Sequence, residues 1–218
     1  MHKSIVNLSF IKDQIKTKFR STNDPNIIAV SKTFPMTEIE PLLRYGHLHF
    51  GENKVQEANN KWINVKNNFE NVKLHMIGKL QSNKVKFLIP LFDYLHSLDS
   101  INLAEKISKE QIKLKKRIKI FIQVNIGNEE QKNGIQLGEV ENFYKICVNN
   151  LELDIVGLMC LPPDKKNVRP FFKEMKGLSD HLGLKELSMG MSSDYLDAIE
   201  FGASFIRIGS KIFGNRNQ

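Results

Sequence analysis

The chain is short of cysteine, proline and unbroken apolar sequence, and each shortage removes a class of protein. Two cysteines in 218 residues, Cys147 and Cys160, exclude a disulfide scaffold. Both stand in apolar surroundings with neither CxxC spacing nor a nearby histidine, so buried free thiols in a reducing compartment are expected, and no metal site. Seven prolines and 13 glycines exclude collagenous and low-complexity chains. No stretch approaches the roughly 18 apolar residues of a membrane span. The opening MHKSIVNLSFIKDQIKTKF interrupts its apolar positions with charge, as an amphipathic helix does and a signal peptide does not. A soluble cytoplasmic protein is the expectation.

Acidic side chains are also outnumbered, 24 against 32 basic, for a net charge of +8. That excess raises nucleic acid, an anionic membrane surface or a phosphorylated ligand as partners. The densest basic run, IKLKKRIK (112–119), falls where an apolar-periodic stretch ends, which suits a solvated helix C-terminus. No aromatic ladder accompanies it, as single-strand binding would require. Nucleic acid therefore stays a minor alternative, and neither it nor a membrane is an expected partner.

What is present is an ordinary globular composition, 41% hydrophobic and 26% charged. At roughly 150 residues per domain, one domain over 1–218 is the economical reading. Eight β-type runs recur: 27–31, 47–50, 74–78, 94–99, 118–126, 153–161, 186–192 and 204–210. Helical patterns such as EIEPLLRYG, INLAEKISKEQIKL and SSDYLDAIEFG lie between them, the last ending on Gly202 as a C-cap. Such alternation implies parallel strands joined by right-handed crossovers. The expected fold is α/β, a (β/α)8 TIM-type barrel with an extra N-terminal helix. A doubly wound open sheet is the runner-up, although the GxGxxG dinucleotide fingerprint is absent.

In either fold the ligand site lies at the carboxyl ends of the strands. Lys32 directly follows the run IIAVS. With a reference pKa near 10.4, only about 0.04% of such an amine is neutral at pH 7, and burial or nearby positive charge makes it nucleophilic. An ordinary lysine snorkelling at a strand end is the competing reading. GMSS (190–193) and RIGS (207–210) are small-residue turns whose N–H groups, with the hydroxyls of Ser192 and Ser210, suit a phosphate. Phosphate sites after strands 7 and 8 recur in this barrel; plain turn glycines and helix caps are the alternative. Alternation puts Phe205, Arg207 and Gly209 on one face. An amine nucleophile, a phosphate cradle and an arginine together suggest pyridoxal 5'-phosphate (PLP), with Lys32 forming the internal aldimine and Arg207 facing the pyridine nitrogen. The same parts would serve a Schiff-base aldolase acting on a sugar phosphate. Asn53 and Asn125 are read as lining the site, with His75 a further possible contact; core hydrogen-bond filling is the alternative for each.

These residues lie in longer motifs: AVSKTFP, HFGENKVQEANNK, LHMIGKLQSNK, HSLDS, IQVNIGNEEQKNGI, VGLMCLPP, LSMGMSSDYLDAIEFGA and RIGSKIFGNR. In this order, over nearly the whole chain, they resemble the pyridoxal phosphate homeostasis proteins, relatives of the N-terminal barrel domain of alanine racemase. The resemblance implies that Lys32 carries PLP as a Schiff base, that Ser192, Gly209 and Ser210 bind its phosphate, and that Arg207 approaches the pyridine nitrogen. It also implies a monomer acting in vitamin B6 homeostasis, with PLP-dependent apo-enzymes as candidate recipients. Two departures are small: Leu74 replaces a frequent aromatic, and Ser210 a common threonine that has the same hydroxyl. Racemases of the related fold use a tyrosine base from an additional C-terminal β domain. Here the sequence runs eight residues past Ser210, and Tyr45, Tyr94, Tyr144 and Tyr195 show no such motif. No catalytic residue is therefore assigned, and a carrier or regulator is expected rather than a turnover enzyme, with a weak amino-acid racemase as the alternative.

Overall fold

The computed structural model describes residues 1–20, 24–129, 131–163 and 167–214. Its core is a ring of eight strands: β1 (Asn26–Val30), β2 (His49–Glu52), β3 (Lys73–Met76), β4 (Tyr94–Leu98), β5 (Lys119–Asn125), β6 (Ile155–Cys160), β7 (Glu186–Ser188) and β8 (Phe205–Ile208). Each pairs in parallel with the next, and β8 returns to β1 with Ile28 opposite Arg207. Pairing of β4 with β5 completes a closed barrel, so the open-sheet alternative is excluded. A two-residue strand, Ile135–Gln136, adds itself beside the end of β5, a pairing absent from the sequence expectation.

Nine α-helices are found among the described residues. The extra helix α1 (Lys3–Phe19) is capped by His2, whose ring accepts from the Ser4 N–H at 3.3 Å, and it buries Leu8, Ile11 and Ile15 at helical spacing. Around the barrel follow α2 (Met36–Arg44), α3 (Val55–Trp62), α4 (Val85–Leu91), α5 (Ile101–Leu114), α6 (Val140–Lys145), α7 (Arg169–His181), α8 (Tyr195–Glu200) and α9 (Ser210–Phe213). Two apolar regions result, as expected when both strand faces are buried. The outer one joins strand residues such as Ala29, Leu95, Ile122 and Ile206 to the inward faces of the helices. The inner one is small: Ile28, Phe121, Met159 and Phe205, with Tyr94 and Val156 against them.

Several boundaries differ from the sequence reading for local reasons. The run 186–192 is strand only to Ser188, because Gly190 turns the chain at φ +90 with its Cα facing the Ala198 methyl; a Cβ there would lie 2.6 Å from it. The helical pattern NKVQEANNKWINVKNNF (53–69) is α-helical only from Val55 to Trp62, and α6 continues from Ile146 to Asn150 as a π-helical turn. The basic run behaves as expected: α5 stops at a left-handed Lys115, and Lys116 and Arg117 bind the Pro90 and Glu152 carbonyls. It lies at the amino ends of the strands, away from the end where a ligand site is expected. Both cysteines are buried free thiols, their pKa values pushed up to about 12 by burial. Among the described residues no helix is long and apolar enough to cross a membrane.

Candidate functional site

The parallel register brings every strand C-terminus to one end of the barrel, the C-terminal mouth. Lys32 stands two residues beyond Val30, half-buried, in the alternation parity of the interior residue Ile28. The preceding residue is fixed from outside the barrel: the Ser31 hydroxyl donates to Glu52 at 2.7 Å. Glu52 is fully buried and its Oε1 also accepts from Lys61 and from the Trp62 indole, both at 3.0 Å. The Thr33 N–H, in a left-handed turn, donates to Glu57 at 2.7 Å. The turn that presents Lys32 is thus anchored on both sides to the segment that begins with β2 and runs into α3.

On the other flank of β1 the GMSS and RIGS turns meet. The Lys211 N–H lies 3.5 Å from Ser192 Oγ, so Ser192 adjoins Gly209 and Ser210. Among the described residues, no backbone carbonyl accepts from the Ser192 or Ser210 N–H. Gly209 packs on Val30; a Cβ built there would be 3.4 Å from the Val30 Cβ, which sets the phosphate turn against the strand that leads to Lys32. Arg207 shares a face with Phe205, as the alternation has it, and the structure shows that this face is the interior one, with Phe205 in the interior cluster below it. It is 4% exposed and donates to the Ser188 hydroxyl at 2.7 Å and the Cys160 carbonyl at 2.8 Å. No carboxylate pairs with it among the described residues, and burial lowers its pKa.

The two asparagines separate. Asn53 carries a buried Oδ1 with no hydrogen-bond partner among the described residues, beside a backbone contact so close that a Cβ on Gly78 would sit 2.4 Å from the Asn53 carbonyl oxygen. Asn125 instead spends both ends of its amide on its own loop, donating to the Glu129 carbonyl at 2.8 Å and accepting from the Glu129 N–H at 3.2 Å. Its position at the end of β5 is as expected; its side chain ties down a loop. His75 lies deep in the barrel, bonded to two other histidines. The last two residues of the RIGSKIFGNR motif, Asn215 and Arg216, lie outside the described residues. Ser188 and Glu52 stand among the strand-end residues where the sequence places a ligand site, but it gives neither a role; Ser188 closes the strand before the GMSS turn, and Glu52 is the acid of GEN. Grooves exist on the helical exterior, one lined by Ile5, Thr37, Glu40, Pro41, Arg44 and Tyr45, but its polar groups are engaged at the surface, Arg44 with Glu40 and Tyr45 with Ser9.

The residues present fit a small phosphorylated carbonyl compound. Two turns offer N–H groups and hydroxyls to a phosphate, Lys32 stands at the same end of the barrel, and among the described residues a buried guanidinium has no carboxylate partner and a buried amide oxygen has no donor. Fold and site define a ligand-binding (β/α)8 barrel with an anion-binding rim. The family model for the alanine racemase N-terminal domain matches residues 6–217. The chain belongs to the pyridoxal phosphate homeostasis proteins within that barrel family. It is 37% identical over 206 residues to the pyridoxal phosphate homeostasis protein of Aquifex aeolicus, covering 90% of each chain. With that of Escherichia coli K12 the identity is 33%, over 97% of this chain and 96% of the relative. The structure of PipY from Synechococcus elongatus with PLP bound superposes with a TM-score of 0.86 at 30% identity, covering 97% of this chain and all, 100%, of PipY. An alanine racemase of Clostridium difficile shares the fold, with a TM-score of 0.71 at 18% identity over 57% of the racemase chain.

Proposed function

We propose that this protein binds PLP as a Schiff base on Lys32 and serves vitamin B6 homeostasis, holding and releasing the cofactor without strong turnover of its own. The observation that carries the reading is the meeting of the GMSS and RIGS turns, through Lys211 and Ser192, beside the strand that leads to Lys32. In this arrangement Ser192, Gly209 and Ser210 hold the phosphate, and Arg207 faces the pyridine nitrogen. A guanidinium can only donate, so it favours an unprotonated ring nitrogen, which weakens the electron-withdrawing chemistry that PLP supplies when bound. Asn53 supplies a polar contact near the strand ends, whereas Asn125 acts by fixing the 126–129 loop. PipY, solved with PLP bound, and the curated relatives named for PLP homeostasis support this reading.

Two features favour a carrier over a racemase. The tyrosine hydroxyls are placed elsewhere: Tyr195 donates to Gln14 at 2.6 Å, Tyr45 contacts Ser9, and Tyr94 begins β4 at the opposite end of the barrel. A proton exchange on both faces of a bound amino acid needs a positioned partner on each, and one amine serves one face. The protein acts as a single-domain cytoplasmic monomer whose recipients are PLP-dependent apo-enzymes.

The test is the visible absorption spectrum of the protein mixed with PLP, followed by borohydride reduction and peptide mapping, on the native chain and Lys32→Ala. The expected result is a Schiff-base band lost in the variant and an adduct mapped to Lys32. A band unchanged by the substitution would return Lys32 to a structural role. Incubation of the loaded protein with L-alanine should give negligible loss of optical rotation; robust turnover abolished by Lys32→Ala would make it a racemase.

A further inference from the structure

The barrel interior holds a row of polar groups that cofactor binding alone does not explain. His49 Nδ1 lies 2.9 Å from His75 Nε2, and His75 Nδ1 lies 2.9 Å from His96 Nε2. His96 Nδ1 is in turn 2.8 Å from the Ser188 hydroxyl, which accepts from Arg207 at 2.7 Å. This unbroken chain crosses from β2 through β3, β4 and β7 to β8. It also climbs: His49 opens its strand at the amino end, while Ser188 closes its own at the C-terminal mouth. His75, His96 and Ser188 are wholly buried, and His49 is only partly so.

The direction of every bond follows from one fact, that a guanidinium can only donate. Ser188 accepts from Arg207, so its own proton needs an acceptor, and His96 Nδ1 is the one within reach. His96 then carries its proton on Nε2 and donates to His75 Nδ1. His75 likewise donates from Nε2 to His49 Nδ1, and the Nε2–H of His49 is left at the amino end. The opposite direction would leave the proton of the fully buried Ser188 without an acceptor, which buried polar groups avoid. A proton added to either central ring would turn an acceptor into a second donor facing a donor. The rings are also clamped in plane: Tyr94 stacks on His75 with centroids 4.4 Å apart, and Phe121 on His96 at 4.3 Å. The three rings follow one another in series, and no group of three metal-ligating side chains converges among the described residues.

We propose that His49, His75 and His96 are a one-way hydrogen-bond relay that positions the Arg207 guanidinium through Ser188. Two of the guanidinium's N–H groups are consumed by Ser188 and Cys160, which fixes its plane and aims the remainder at the mouth. Only the last link, from Arg207 to a pyridine nitrogen, rests on the PLP reading. Because His49 accepts through Nδ1, it cannot gain a proton there without breaking or reversing the bonds behind it. The charged and titratable groups facing the relay act in the same sense, with one exception. Lys73 lies near His49, His47 and Lys66 near His75, and Arg207 near His96, all opposing further positive charge, while Asp93 near His49 favours it. Burial is the largest influence and holds all three rings below the ordinary histidine range.

The test uses the cofactor-free chain labelled with 15N and long-range 1H–15N correlation at pH 6 to 8. The expected result is a pure Nε2–H tautomer for His75 and His96 with no titration of either. An Nδ1–H tautomer for either ring, or titration in that range, would overturn the relay. His49→Leu, at the exposed end, removes the terminal acceptor; the 15N signals of His96 and of the Arg207 guanidinium should shift, and PLP affinity should fall by about fivefold, the equivalent of one neutral hydrogen bond. His49→Gln, which still offers an acceptor, should restore both. Unchanged His96 and Arg207 signals in His49→Leu would equally sink the proposal. If that variant does not fold, the tautomers of the native chain decide alone. A failure of the PLP reading would show separately, as no Schiff-base band in a native chain whose tautomers are as expected.

Discussion

Glu52 shows how much a single buried side chain can hold. Its carboxylate accepts hydrogen bonds from Ser31, Lys61 and Trp62, and the Lys61 side chain is itself only 11% exposed. Removing one partner of a buried ion pair leaves the other charge without compensation, at a cost of about 3–5 kcal/mol. Glu52→Ala should therefore lower the urea midpoint strongly, and Glu52→Gln, which keeps an acceptor, should lower it less; equal small effects would mean that Ser31 and the turn before Lys32 do not depend on this carboxylate. At this scale the sequence was informative about chemistry and silent about direction. Lys32, Ser192, Arg207 and Ser210 stood out as candidates because strand ends and small-residue turns are visible in a one-dimensional pattern. Of the relay histidines only His75 stood out, and as a contact to a ligand. His49, His75 and His96 each sit in a recognised strand run, but when both faces of a strand are buried, nothing in the pattern says which residue looks into the barrel. For Asn125 the sequence left ligand contact and structural hydrogen bonding both open, and it does not show that the amide folds back on its own loop.

Elements repeat that contrast between location and detail. All eight strand runs exist, because β-branched clusters separated by helical periodicity leave few alternatives. Their ends shifted where one residue's geometry decided the matter, as at Gly190. Gly157 is a sharper case, in mid-strand on β6 opposite Glu186. A Cβ there would lie 2.0 Å from the Glu186 carbonyl oxygen, and a strand backbone cannot yield as a side-chain tip does. Gly157→Ala should force β6 and β7 apart. An overpacking cost of about 1–3 kcal/mol corresponds to a fall in Tm of roughly 2–12 °C for a chain of this size. An unchanged Tm in a thermal melt would mean that the two strands have slack the close packing does not suggest.

The whole molecule encloses four histidines that are neutral when folded. Burial holds the His47 pKa at about 4, reinforced by Lys12 and His49, and lowers His49, His75 and His96 as well. In the unfolded chain these rings take up protons below about pH 6.5. Between there and about pH 4 the unfolded state therefore binds more protons than the folded one, so stability rises with pH across that window and is lost as pH falls through it, by up to about 1.4 kcal/mol per pH unit for each ring. Above pH 7 the rings are neutral in both states and contribute no slope. Urea midpoints at pH 7.5 and 5.0 check this: a clear drop at pH 5.0 is expected, and equal midpoints would contradict neutral buried rings. Closure of the barrel has a consequence of another kind, in time. The strand that leads to Lys32 finds its second neighbour only in β8, nearly the whole chain later, and α1 is held to the far end by the Asn7 amide on the Ile212 carbonyl at 2.9 Å and by Gln14 on Tyr195. On a ribosome the strand before Lys32 emerges long before the strand that will flank it. The mouth therefore takes shape only once β8 has been made and has closed on β1, and a nascent chain still short of β8 has no complete mouth to offer a ligand.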